Sequence, residues 1–126
     1  MSLDSRGARG REPAETGSER AVPWPNPETF AAGLRVPAPF ADRLILRALR
    51  ATGGGALEVT EAEIVEAGRR AAKLEGILPC PEGAAAIAGA KRLADAGEID
   101  DSHLVVIFQT GTALKYLDAW RTQLEI

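Results

Sequence analysis

One cysteine, Cys80, stands among 126 residues, so no internal disulfide can form and a reducing cytoplasm is the natural compartment. Positive charge is not in excess. Lys and Arg number 15 against 18 Asp and Glu, and the formal charge of -3 with a pI near 5.2 gives no field that would gather phosphate backbones. Nucleic-acid binding is therefore not expected. No stretch approaches the ~18 consecutive apolar residues of a membrane helix, and the first residues are polar, so neither a membrane span nor a signal peptide is expected. The single histidine, His103, has no cysteine or histidine partner at metal-ligand spacing and reads as a solvated side chain.

What is present fits one globular domain: 45% hydrophobic and 26% charged residues. Residues 1–21 carry Ser, Gly, Arg and Glu with little to bury, which predicts a disordered tail. The three prolines of Val22-Pro23-Trp24-Pro25-Asn26-Pro27 impose an extended path, so residues 22–36 read as a strap across another surface. Residues 37–126 read as an α/β region. Phe40, Leu44, Ile45, Ala48 and Leu49 form an apolar helical face after Pro37 and Pro39, stopped by Gly53-Gly54-Gly55. Residues 56–59 alternate like a short strand. Thr60 and Glu63 form a capping box, opening a helix that buries Ile64, Ala67, Ala71 and Leu74 and stops at Gly76. Pro81 opens a further helix whose first half, residues 83–90, is nearly all small residues, and which runs to Gly97. The apolar run of residues 103–108 has the composition of a strand covered on both faces. The pattern predicts a right-handed α/β unit, a partial three-layer αβα arrangement with a short parallel sheet in which 103–108 is central and parallel to 56–59.

Two segments could carry chemistry. Gln109-Thr110-Gly111-Thr112-Ala113-Leu114-Lys115 follows the expected strand, where open α/β sheets bind ligands, and offers hydroxyls from Thr110 and Thr112 beside a glycine. The plainer reading is a strand-to-helix turn with a threonine cap. Cys80-Pro81-Glu82-Gly83-Ala84-Ala85-Ala86 sets a carboxylate and free amides at a helix start, although Glu82 could simply complement the helix dipole. Cys80 itself reads as a small buried hydrophobe. The series Arg35, Arg43, Arg47 and Arg50 reads as a solvated face.

In order, Glu28-Thr29-Phe30-Ala31-Ala32-Gly33-Leu34-Arg35-Val36-Pro37, Leu44-Ile45-Leu46-Arg47-Ala48-Leu49-Arg50, Leu74-Glu75-Gly76-Ile77, Cys80-Pro81-Glu82-Gly83-Ala84-Ala85-Ala86 and Gln109-Thr110-Gly111-Thr112-Ala113-Leu114-Lys115-Tyr116 resemble the C-terminal region of threonine synthases. These are members of the tryptophan-synthase-β-like, fold type II pyridoxal-phosphate enzymes. The resemblance implies that Thr110 is the hydroxyl partner of the cofactor's pyridine nitrogen, that Gly111 lets backbone lie beside the ring, and that Glu82 and Gly83 line the cofactor from another side. It also implies that the cofactor-linking lysine, a flanking asparagine and the glycine-rich phosphate loop belong to an upstream part. Lys73, Lys91 and Lys115 do not stand in the family's lysine motif, and Gln109 takes a position where relatives often carry another polar residue. No residue of this chain is then catalytic. The expectation is a fragment of an enzyme converting O-phosphohomoserine to threonine and phosphate, which alone binds little pyridoxal phosphate and turns nothing over. Its partner would be a second copy or a separate N-terminal half, contacted through an exposed sheet edge and residues 84–90, with the strap on the neighbour. The alternative is a stand-alone, non-catalytic α/β module that binds a protein or small ligand.

Overall fold

A computed structural model describes residues 12–13 and 19–124 of the chain. Most of the expected tail, 1–21, lies outside them. The elements run β1 (Glu12–Pro13), α1 (Asp42–Thr52), β2 (Gly55–Ala56), α2 (Glu61–Glu75), α3 (Pro81–Asp95) and α4 (Leu117–Leu124), with single 3-10 turns at Ala32–Leu34 and Ala113–Lys115.

The helix boundaries follow local chemistry. Thr60 and Glu63 cap α2 reciprocally: the Glu63 carboxylate accepts from the Thr60 amide at 2.6 Å, and Thr60 Oγ1 accepts from the Glu63 amide at 3.2 Å. At its far end Gly76 takes the left-handed conformation at φ 68°, which costs a glycine little. Gly53 does the same for α1. Pro81 opens α3, where its missing N–H is one that the helix start leaves unpaired anyway.

The helices α2 and α3 pack against each other, and the core is Ile64, Ala84, Ala85, Ala113 and Trp120, with Phe30, Val59, Val65, Leu78, Tyr116 and Leu124 around it. Small residues make this close packing possible. A Cβ on Gly68 would lie 2.3 Å from Cη2 of Trp120, so the indole occupies space that any side chain at 68 would claim. Arg92 fastens the two helices at the polar margin. Its Nε and Nη2 donate to the two Glu63 oxygens at 2.6 and 2.7 Å, and its Nη1 donates to the Glu58 carbonyl at 2.8 Å. The Arg92 hydrogen bonds, helped by those from Thr60, hold the Glu63 carboxyl down at a pKa of about 2, against the opposing effect of burial.

Several expectations are corrected. Among the described residues the parallel pairing of 56–59 with 103–108 does not form. The strand pair present is β1 with β2, antiparallel and two residues long, with Glu12 opposite Ala56 and Pro13 opposite Gly55. Residues 104–110 have no regular structure, because no described segment lies alongside to complete a ladder. The helix α1 forms, but Phe40, Leu44 and Ile45 are exposed and not a buried face. In α2, Ile64 and Ala67 are buried as expected, whereas Ala71 is half-buried and Leu74 is exposed. The small-residue stretch of α3 is largely covered: Ala84, Ala85, Ala88 and Gly89 are buried against this chain's own core. It is therefore not the exposed surface the sequence suggested.

The proline strap is exposed over residues 22–26, where the Trp24 amide donates to the Pro37 carbonyl at 2.8 Å. Residues 29–31 lie on this chain's own core, unlike the strap across another surface that the sequence suggested. Phe30 meets Trp120, its amide donates to Glu61 Oε2 at 3.2 Å, and Ala31 is fully buried. Asp42 ties the same region to α1, accepting from the Ala21 amide at 3.1 Å. No helix among the described residues is long and apolar enough to cross a membrane.

Candidate functional site

The two chemistry-bearing segments meet. Residues 78–80, which lead into α3, run antiparallel to residues 111–113. Pro79 and Thr112 form an isolated bridge, the Cys80 amide donates to the Gly111 carbonyl at 3.1 Å, and the Ala113 amide donates to the Leu78 carbonyl at 3.1 Å. The backbone thereby fixes the Thr110-Gly111 turn against the N-terminus of α3. From behind, the Trp120 indole donates to the Pro79 carbonyl at 3.1 Å.

Cys80 sits at the centre of this junction. It is buried, as a small hydrophobe would be, and it also caps α3, its sulfur accepting from the Gly83 amide at 3.3 Å. The same sulfur lies 3.6 Å from Thr110 Oγ1. Thr110 thus has an exposed position with its hydroxyl steered from one side.

The four residues singled out by resemblance all fall at this junction, in unequal roles. Thr110 is exposed, with its hydroxyl against the Cys80 sulfur. Gly111 packs its α-carbon toward Cys80, and a Cβ there would lie 3.5 Å from Cys80 Cβ, an ordinary contact, so the turn is not kept bare for a ring on that side. Gly83 is the tighter position: a Cβ would lie 1.8 Å from Oε1 of Gln109, whose side chain lies across the start of α3. Glu82 points to the 3-10 turn, with its Oε1 accepting from the Gly33 amide at 2.7 Å while its Oε2 is buried with no hydrogen-bond partner.

Three participants were not assigned a site role from the sequence. Gln109 fills the space over Gly83 and donates to the Gly111 carbonyl. Gly33 receives Glu82, and Cys80 contacts the Thr110 hydroxyl. Adjacency of Gln109 and Cys80 to the two motifs was the available signal; nothing local marks Gly33, because its partner is 49 residues away.

Elsewhere, Thr112 caps the 3-10 turn, its hydroxyl accepting from the Leu114 amide at 3.3 Å, as the plainer reading of that segment required. His103 is exposed and pairs through Nδ1 with Asp100 at 2.8 Å. Hydrogen bonds from Ser102 and from His103 hold the Asp100 carboxyl below its ordinary range. Lys91 is paired with Asp95 at 2.5 Å on the exposed side of α3, and Lys73 and Lys115 are exposed. No group of metal-binding side chains occurs among the described residues.

The Thr110 hydroxyl thus lies beside the start of α3 against a buried thiol, with the Gln109 amide across the neighbouring Gly83. In comparison with known proteins, residues 6–111 match the pyridoxal-phosphate dependent enzyme family, and the chain belongs to it. Within that family it is similar to threonine synthases. It is 42% identical over 98 residues to the threonine synthase of Methanocaldococcus jannaschii, covering 78% of this chain and 24% of that protein. The threonine synthase of Methanosarcina acetivorans is 40% identical over 101 residues, covering 80% and 25%. That of Mycobacterium leprae is 33% identical over 93 residues, covering 74% and 26%. The threonine-synthase-like, fold type II character read from the motifs is thus shown. The chain spans about a quarter of the length of the relatives it matches.

Proposed function

We propose that this chain is the C-terminal region of a threonine-synthase-like enzyme, supplying one wall of a pyridoxal-phosphate site and no turnover by itself. The observation that carries the reading is the junction of 78–80 with 111–113, which brings the Thr110 hydroxyl to 3.6 Å from the sulfur that caps α3. Both segments belong to the motifs on which the resemblance rests, and they lie side by side although 30 residues separate Cys80 from Thr110.

The residues present fit one side of the cofactor. Pyridoxal phosphate supplies an electron sink for chemistry at an amino acid's carbons. A hydroxyl such as that of Thr110 can hydrogen-bond the pyridine nitrogen while leaving it uncharged, which moderates that sink. Gln109, lying across Gly83, would border the same face. Lys91 is engaged with Asp95, and Lys73 and Lys115 do not stand in the family's lysine motif, so the linking lysine and the phosphate cradle would come from the region that makes up the rest of the relatives. The substrate of the assembled enzyme would be O-phosphohomoserine, in keeping with the resemblance, and the compartment the cytoplasm.

The test is cofactor capture. Pyridoxal phosphate added to the isolated chain, followed by borohydride and peptide mapping, should label no single lysine stoichiometrically. Stoichiometric fixation at one lysine of this chain, Lys115 included, would overturn the reading.

A further inference from the structure

Cys80 carries a buried thiol wedged between the two motifs. The residue is 1% exposed, and among the described residues its sulfur has two polar partners: the Gly83 amide at 3.3 Å and Thr110 Oγ1 at 3.6 Å. The backbone holds the sulfur in place. The Cys80 amide donates to the Gly111 carbonyl at 3.1 Å, and its carbonyl accepts from the Ala84 amide at 2.9 Å.

Counting protons gives this row of groups a direction. A backbone amide only donates, so Gly83 takes the acceptor side of the sulfur. The thiol has one hydrogen of its own, and the acceptor beside it is Thr110 Oγ1. In the reverse order the Thr110 hydroxyl would donate to a weak acceptor already engaged by Gly83. A buried S–H would then have no acceptor among the described residues. Thr110 is exposed, so its own hydrogen can be given to water or to a ligand.

We infer that Cys80 is a positioning residue whose thiol donates to Thr110 Oγ1 and turns the Thr110 hydrogen outward, so that the hydroxyl meets a ligand as a donor. This rests on the function proposed above and says how that wall treats the pyridine nitrogen. A threonine hydroxyl standing alone serves either as donor to an uncharged ring nitrogen or as acceptor for a protonated one. Hydrogen bonds in series polarise one another in the same sense, so the Gly83 amide and the Cys80 thiol behind it favour donation and select the uncharged ring. Cys80 acts through Thr110 and touches no ligand. Serine at position 80 would keep both the helix cap and the order of donors, whereas alanine would keep neither.

The chain has one cysteine, so its S–H stretching band in the infrared belongs to Cys80 alone. In the full chain that band should lie at lower frequency than the band of a free thiol. Thr110→Val should return it to the free position, and Thr110→Ser should leave it low. A wild-type band at the free position, no S–H band, or a band that ignores Thr110→Val would each overturn the inference. The consequence for the ligand is read in this chain co-expressed with a partner body, the Methanocaldococcus jannaschii threonine synthase lacking its matched quarter. The probe is pyridoxal phosphate with an isotope-labelled ring nitrogen, followed by magnetic resonance. Cys80→Ser should match wild type in affinity and in the nitrogen signal. Cys80→Ala should weaken affinity roughly threefold to tenfold, the worth of one weak hydrogen bond, and move the signal toward that of a protonated ring. Loss of the helix cap alone would lower the melting temperature without moving that signal. An unmoved signal in Cys80→Ala would therefore overturn the positioning role. Failure of the wild-type pair to bind pyridoxal phosphate would remove the proposed function, and the infrared band would still decide the role of Cys80.

Discussion

Trp120 and Pro79 are joined by a hydrogen bond across 41 residues, the indole nitrogen donating to the proline carbonyl at 3.1 Å in a buried setting. The contact links α4 to the segment that positions Cys80. The indole also meets Phe30 edge-on, with ring centroids 5.5 Å apart. It occupies the space over Gly68 as well. One side chain thereby holds together three separate stretches of sequence.

Trp120→Ala should accordingly cost about 3–5 kcal/mol, as for other buried aromatic truncations. Trp120→Phe keeps most of the ring and should cost nearer 1 kcal/mol for the lost hydrogen bond. Gly68→Ala should cost about 1–3 kcal/mol by overpacking. Urea unfolding of the three variants checks the order; an Ala at 68 without effect would contradict the contact.

Glu82 and Gly33 should behave as a coupled pair. The Gly33 amide donates to Glu82 Oε1, and a Cβ on Gly33 would lie 2.8 Å from that oxygen. Gly33→Ala should displace the carboxylate and cost about 1 kcal/mol in the wild-type chain. In a Glu82→Ala background it should cost almost nothing. A double-mutant cycle measures the difference, and additive effects would mean that the pair is not coupled.

The Glu63–Arg92 pair sets an acid dependence. The folded-state pKa of Glu63 is about 2, below its ordinary 4.5, so the folded form binds fewer protons than the unfolded form as the pH falls. Its contribution is complete above about pH 4.5 and is lost as pH drops toward 2. Because the Glu63 side chain is 36% exposed, solvent screening limits the effect to about 1 kcal/mol. Glu63→Gln should be less stable than wild type at pH 6, and the gap should close by pH 2. A constant gap across that range would show that the ion pair is not its source.

Thr110 should matter through its hydroxyl. With the partner body present, Thr110→Ser should retain cofactor affinity, while Thr110→Val should lose roughly tenfold, the worth of one hydrogen bond of about 1.4 kcal/mol. Absorbance titration with pyridoxal phosphate gives both values. Equal affinity in the valine variant would remove Thr110 from the site.

Local chemistry was legible in the sequence. The Thr60–Glu63 box, the Gly53 and Gly76 stops and the proline start of α3 rest on contacts within a few residues, and each forms as read. What was misread depends on neighbours. The apolar run at 103–108 carries a strand's composition, but a strand exists only beside another, and no described residue lies alongside. The α1 face of Phe40, Leu44 and Ile45 has helical spacing, yet spacing does not say what will cover it. At the site, the motifs named two segments that the fold brings side by side, whereas the Gly33–Glu82 contact and Gln109 over Gly83 arise from chain paths that no local pattern encodes.

The most direct test of the central claim is phosphate release from O-phosphohomoserine in the presence of pyridoxal phosphate. It would be measured for this chain alone, for the Methanocaldococcus jannaschii protein lacking its matched quarter, and for the two co-expressed. The account predicts no release above background from either piece and measurable release from the co-expressed pair, reduced by Thr110→Val. Turnover by the isolated 126-residue chain, or none from a stable complex that has bound the cofactor, would contradict it.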